Sequence, residues 1–289
     1  MSSPLRTTRL RTSRPGTSRP VAGKRFGRVL TLSLVVGLLG GLAPARADDG
    51  AFDQVLNSND AKNDRTGAPS GGSLVALKTG AATDVAKRQR VLDRLSTELG
   101  NSPIDCGANA ELTTKIADSS VVMNEIAGRI AAATDMKTAK AAASELFPAT
   151  RVFSLVLPQV QVSLFCASAV VQTQQLQARI TGGNTSLEAL KGTAEVQAAL
   201  VAGATAAGTL KIVPSLGQTA TTLAPLSPDK GDAAIAAANL AALNASRVQV
   251  RAVESALDTA DRQVREFERL ADLAKRKVAR TTKVKKPVK

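Results

Sequence analysis

Cys106 and Cys166 are the residues of this 289-residue chain whose type and number point most directly to a defined chemistry. An even cysteine count without metal-ligand spacing reads as a disulfide in an oxidising compartment. Neither cysteine belongs to a CxxC pair or sits beside a positive cluster that would lower a thiol pKa, so a redox role as free thiols is the secondary reading. The chain has no His, Trp or Tyr. Without histidine there is no Ser-His or Cys-His nucleophile pair, no imidazole metal ligand and no ordinary base near neutral pH. Two cysteines alone do not make a structural zinc site. Paired carboxylates could hydrolyse a glycoside, but here the acids are interspersed with Lys and Arg on expected solvent faces. The aromatics that line sugar sites are scarce, with six Phe in the whole chain. No catalytic set can be assembled, and the expectation is a protein that is not an enzyme and uses no cofactor or metal.

The second chemical feature is charge. The whole chain is +14, but residues 1–47 hold nine Lys/Arg and no acid, which leaves +5 for residues 48–289. The last fifteen residues hold eight more: Lys275, Arg276, Lys277, Arg280, Lys283, Lys285, Lys286 and Lys289. Residues 48–274 are therefore −3. A nucleic-acid-binding domain carries its basic patch on a folded face with aromatics for stacking, and this chain offers neither, so no nucleic-acid partner is expected. The plain reading of the tail is a solvated end. The functional reading is an anionic-surface-binding segment, worth ~1 kcal/mol per basic residue near an anionic surface.

Residues 1–47 read as a signal peptide. A basic leader runs into an uncharged apolar stretch, Val29 to Leu42, then Ala45-Arg46-Ala47 and acidic Asp48-Asp49. This stretch of 14 residues falls short of the ~20 a transmembrane helix needs. The mature chain is expected to carry no transmembrane span. The charge-free segment from Val152 to Ala178 is interrupted by Pro158 and several Gln, and reads as a buried central helix.

The elements that must position these residues are helical. Residues 48–83, rich in Asp, Asn, Gly and Ser, read as a disordered N-terminal arm. Residues 84–279 read as a helical bundle, and 280–289 as a basic disordered tail. A first helix runs from about Asp84 to Leu99 with Val85, Leu92, Leu95 and Leu99 as its stripe. A second, about Ala110 to Thr134, places Leu112, Ile116, Ser119, Met123, Ile126, Ile130 and Ala133 on one face in 4-3 alternation. A short third helix, capped by Thr134 or Asp135, stops near Phe147. Residues 151–157 are apolar enough for a strand but are read as the entry to a long helix, kinked at Pro158. Gly182-Gly183 reads as its stop. A fourth helix begins at Thr185 or Ser186 and fades among Gly203, Gly208 and Pro214.

The last helix, from Asp229 or Asp232 to about Ala279, steps 3-4 through Ala236, Asn239, Leu243, Ser246, Val250, Val253, Leu257, Ala260, Val264, Phe267, Ala271, Ala274 and Val278. The pairs Asp258/Arg262, Asp261/Arg265 and Asp272/Arg276 stand at i,i+4 in the favourable order. The fold class is all-α, an elongated bundle of long, coiled-coil-like antiparallel helices packed on one another within the chain. That arrangement tests the disulfide. Rising ~36 Å from residue 110 to 134 and returning ~48 Å to residue 166, less the turn, brings Cys166 close to the level of Cys106.

At TRVFSLVLPQVQVSLFCASAVV the chain resembles a group of uncharacterised exported, Ala-rich, all-helical proteins of high-GC bacteria, in which an R-V-aromatic-x-L-V-x-P run lies between Ala/Lys-rich helices. The similarity covers about Leu112 to Ile180. It implies export and an all-helical fold, and brings no activity. The functional expectation is a secreted or cell-wall-associated, non-catalytic structural or interaction protein of the cell envelope. Its tail would contact anionic cell-wall polymer or phospholipid, with a protein partner as the further candidate. The alternative is an accessory coiled-coil regulator of a cell-wall hydrolase, with the partner supplying the active site.

Overall fold

The computed structural model describes residues 51–66, 72–190 and 192–284. The expected signal peptide and the last five residues of the tail lie outside these. The fold is all-α: 86% of the described residues are helical, with no strand among them, and the helices pack against each other. In chain order the helices are α1 (Ala51–Leu56), α2 (Asn59–Thr66), α3 (Leu74–Gly100), α4 (Asn109–Ala132), α5 (Met136–Thr150), α6 (Leu157–Glu188), α7 (Ala194–Thr209), α8 (Ser215–Leu223) and α9 (Ala233–Val284). A π-helical turn, Val152–Val156, joins α5 to α6, and a 3-10 turn, Leu210–Ile212, joins α7 towards α8.

The apolar stripes bury as their periodicity requires. All seven expected positions of α4, Leu112 to Ala133, are buried between α3 and α5. On α9 eleven of the thirteen expected positions are buried, from Asn239 to Ala274, and Ala236 and Val278 are half-buried. This stripe is covered by α6, α7 and α8 of the same chain. At ~1.5 Å per residue α9 is about 78 Å long. A main core runs through most of the bundle. A smaller one, Leu187, Val196, Ala199, Phe267, Ala271 and Ala274, joins the end of α6 to α7 and the distal half of α9.

Several boundaries differ from the sequence reading. The arm expected to be disordered over 48–83 contains α1, α2 and the first ten residues of α3. Phe52, Leu56 and Ala61 are buried against the bundle, and acids of the arm pair with cations of distant helices, which local composition does not reveal. The first long helix begins at Leu74 rather than Asp84. Ser73 caps it by accepting the Ala76 amide at 3.2 Å, and Leu77 and Ala81 extend its buried stripe. Residues 151–157 are helical, but Pro158 does not kink the middle of a helix. It occupies the second position of α6, directly after the π-turn, whose wider i→i+5 spacing relieves the ring's clash with the carbonyl four residues back.

Pro148 lies inside α5, which continues to Thr150 because Phe147 and Thr150 are buried. Gly182-Gly183 is no stop: α6 passes through both to Glu188. The fourth helix starts at Ala194 under a Thr193 cap and includes Gly203 and Gly208. The tail is helical to Val284, so five residues read as disordered, 280–284, continue α9.

Two helical stretches, Met136–Glu188 and Ala194–Leu223, are long and apolar enough to cross a membrane by length and composition. The most apolar window of the first is 67% buried within the protein, that of the second 33%. The first contains the charge-free segment read as a central buried helix, and Val160, Val162, Cys166 and Ala169 are core residues there.

Candidate functional site

The cysteine pair joins the α3–α4 loop to α6. Cys106 and Cys166 are bonded at 2.05 Å with their Cα atoms 6.3 Å apart. The loop is ordered by Asp105, whose carboxylate accepts the amides of Gly107 at 2.7 Å and Asn109 at 3.3 Å, with Gly107 at φ 85°. Asn109 in turn accepts the hydroxyl of Ser163 at 2.8 Å, close to one turn before Cys166 on α6. These hydrogen bonds fix Cys106 at the level of Cys166.

The tail residues do not act as one patch. Lys277 reaches back to Glu195 at the start of α7, and the hydrogen bond from Lys277 holds the Glu195 carboxyl below its usual range. Arg276 and Arg280 are exposed and have no carboxylate partner among the described residues, and Lys275 is half-buried without one. Arg276 and Arg280 stand at i and i+4, on one face of the helix beyond its last fully buried residue, Ala274, and Lys283 belongs to the next turn. Lys285, Lys286 and Lys289 lie outside the described residues. Of the three expected i,i+4 ion pairs on α9, Arg265–Asp261 forms, at 2.5 Å. Arg262 turns instead to the Asp258 carbonyl and the Thr259 hydroxyl, and Asp272 and Arg276 do not pair with each other. Exposed pairs of this kind contribute only a few tenths of a kcal/mol, so competing partners readily win.

The most concentrated polar chemistry lies elsewhere, at the elbow between α5 and α6. Arg151 ends α5 in the left-handed conformation, φ 42° and ψ 40°. Its guanidinium grips Asp229 with Nε at 2.7 Å and Nη2 at 3.0 Å. Burial pushes the Asp229 carboxyl up, but the Arg151 hydrogen bond and charge and the Gly231 amide outweigh it, so it titrates below the usual carboxylate range. The Lys230 amide, next to Asp229, donates to the Pro148 carbonyl at 3.0 Å and closes the end of α5.

On the other side of the elbow stands a second buried pair, Arg88–Asp64 at 2.6 Å, with Asp64 also accepting the amides of Phe153 and Ser154 at the start of the π-turn. Three residues of the R-V-aromatic-x-L-V-x-P run therefore act here. Arg151 holds Asp229, Phe153 packs against Arg88, and Ser154 binds Asp64.

A third polar knot joins α4 and α6 to the end of α8. Lys115 donates to the carbonyls of Ala224 and Leu226, and Gln159 donates to those of Leu223 at 2.6 Å and Leu226 at 2.9 Å. The carbonyls of Leu223 and Ala224 are ones the end of α8 leaves without intrahelical partners, and that of Leu226 follows in the loop. Burial lowers the Lys115 pKa, partly countered by Glu111.

Sequence reasoning passed over Arg88 and Asp64, and read Asp229 only as a candidate start of the last helix, which begins at Ala233. Arg88 carried a usable signal, because it interrupts the apolar stripe Val85–Leu92–Leu95 at a position that must face the core. Asp64 carried none, since its partners are more than twenty residues away. No group of three or more metal-ligating side chains converges among the described residues. No family model, curated protein or solved structure matches this chain.

Proposed function

We propose that this is an exported, non-catalytic structural or interaction protein of the cell envelope, secreted or wall-associated and outside the membrane, whose cationic C-terminal segment attaches to an anionic wall polymer or phospholipid surface. The observation that carries this reading is the exposed helical face of Arg276 and Arg280, beyond the last fully buried residue of α9 and beside a body that is net negative. A helix presents these cations at fixed spacing, so less side-chain and backbone freedom is lost on contact than from a disordered tail. The remaining basic residues, Lys283, Lys285, Lys286 and Lys289, follow directly in the sequence.

Deleting residues 283–289 removes four of the eight charges and leaves every buried position of α9 in place. The truncated protein should fold normally, with weaker co-sedimentation with isolated cell walls and anionic vesicles at low salt. Arg276→Gln/Arg280→Gln should have the same direction of effect. Added salt should weaken binding of the full chain more than that of the truncated one. Equal sedimentation of all three would refute the attachment.

A further inference from the structure

Asp64 is fully buried, yet every donor around its carboxylate comes from outside its own helix. Its Oδ1 receives Arg88 Nη2 at 2.6 Å. Its Oδ2 receives the amide of Phe153 at 2.7 Å, the amide of Ser154 at 3.0 Å and the Ser154 hydroxyl at 3.3 Å. Two successive amides opening a long helical run, with a guanidinium alongside, form an anion cradle. Arg88 is 2% exposed and lies against the rings of Phe147 and Phe153, 4.4 and 5.2 Å from their centroids, which fixes its plane. Its Nε is buried and has no partner. A carboxylate has two oxygens, and both are committed to the other donors.

The element that delivers Asp64 combines a few buried apolar side chains with ion pairs to distant helices. In the strap formed by α1 and α2, the buried apolar side chains are Phe52, Leu56 and Ala61. Its ties also include Asp53 to Arg247 and Arg251 of α9, Asp60 to Lys87 of α3 at 2.5 Å, and Asp64 itself. The Asp60–Lys87 pair is more than a third exposed at both ends and is screened by salt. A short segment with few buried apolar contacts opens locally at lower free energy than the core beneath it.

We propose that Arg88, the amides of Phe153 and Ser154, and the Ser154 hydroxyl form a binding site for a phosphoryl group, and that Asp64 is its internal occupant. A tetrahedral phosphoryl group has the further oxygen that Arg88 Nε lacks. Strap release and anion binding are then one linked equilibrium, because an anion that binds only when Asp64 has left must favour the open strap.

The test uses the full-length chain, with inorganic phosphate and glycerol 3-phosphate as separate titrants against sodium chloride at equal ionic strength. In the unsubstituted protein, either phosphate should speed amide exchange over residues 51–66 about threefold or more, once it exceeds its Kd by a few-fold. Exchange in α4 should not change. In Asp64→Ala the site is vacant, and phosphate should raise the Tm saturably. The double variant Asp64→Ala/Arg88→Gln should lose that response. A response to inorganic phosphate alone identifies a free-ion site, and one to both identifies a phosphomonoester site. Strap exchange unchanged by either phosphate overturns the proposal, and this measurement does not depend on Asp64→Ala folding. An equal response to acetate overturns the phosphoryl assignment, and an equal Tm rise in the double variant overturns the site.

Discussion

Gly183 of α6 and Phe267 of α9 share one volume. A Cβ on Gly183 would lie closer than 3.0 Å to Cε1 and Cζ of the Phe267 ring, and 3.6 Å from its Cδ1. On the ring's other edge, a Cβ on Gly203 of α7 would stand 3.2 Å from Cδ2 and Cε2. Phe267, with no exposed surface, is thus seated in a slot between two helices, each with a glycine where the ring passes. The two glycines permit the approach of α6, α7 and α9 around the smaller core.

This arrangement reverses the usual sign of a substitution. Gly→Ala within a helix normally stabilises by about 1 kcal/mol. Gly183→Ala should instead destabilise by about 1–3 kcal/mol, because the ring must shift. Gly182→Ala, next door, adds a methyl that meets nothing within 4 Å, and should be neutral or stabilising. Urea denaturation of both variants checks the pair, and a stabilised Gly183→Ala would contradict the slot.

The Cys106–Cys166 bond closes a loop with a sequence separation of 60. On the chain-entropy model such a crosslink contributes about 4 kcal/mol. Non-reducing peptide mapping of the oxidised protein should recover the linked pair, and Cys166→Ala or reduction should lower the urea midpoint. Cys166 is buried in the core, so Cys166→Ser should cost more than Cys106→Ser, the hydroxyl having no established partner there. Equal stability of reduced and oxidised protein would contradict the contribution assigned to the bond.

Acid should weaken the elbow. The Asp229 carboxyl is held below its unfolded value near ~3.9, so its contribution is complete above that pH. That contribution is lost as the pH falls through the lower folded-state value. Asp53 and Glu268 are shifted the same way and add to the slope. Asp229→Asn should lower the Tm at pH 7 and leave a shallower decline between pH 5 and pH 2.5 than the unsubstituted protein shows. Parallel curves for the two proteins would mean that the Arg151–Asp229 pair does not couple to folding.

The proposed export predicts cleavage after Ala47. N-terminal sequencing of protein recovered outside the cell should begin Asp48-Asp49. The processed chain keeps Phe52 and Asp53, so α1 should still dock. Exported material that retains the leader would contradict the cleavage reading.

Much of the bundle was readable from periodicity. The 3-4 spacing on α4 and α9 names side chains that share one helical face, and an apolar face of that length has to be covered. The helix class, the buried positions from Leu112 to Ala133 and from Asn239 to Ala274, and the level of Cys166 against Cys106 follow from spacing and rise alone. Buried charge was not readable in this way. Arg88 breaks an apolar stripe, which marks a partner without naming one, and Asp64 sits in a polar stretch that looks like any solvated arm.

Local sequence therefore determined which segments are helical and which face of each is apolar, because both depend on residues within a turn or two of one another. The tertiary structure decided what stands opposite each face. Gly183 permits either a helix end or the close passage of a ring, and only Phe267, more than eighty residues later, selects the second. Residues 51–66 have too few apolar groups to order themselves. They are held because Phe52, Leu56 and Ala61 bury against the bundle, and Asp53, Asp60 and Asp64 find cations on α9 and α3, and the elbow amides, once the bundle has brought these together.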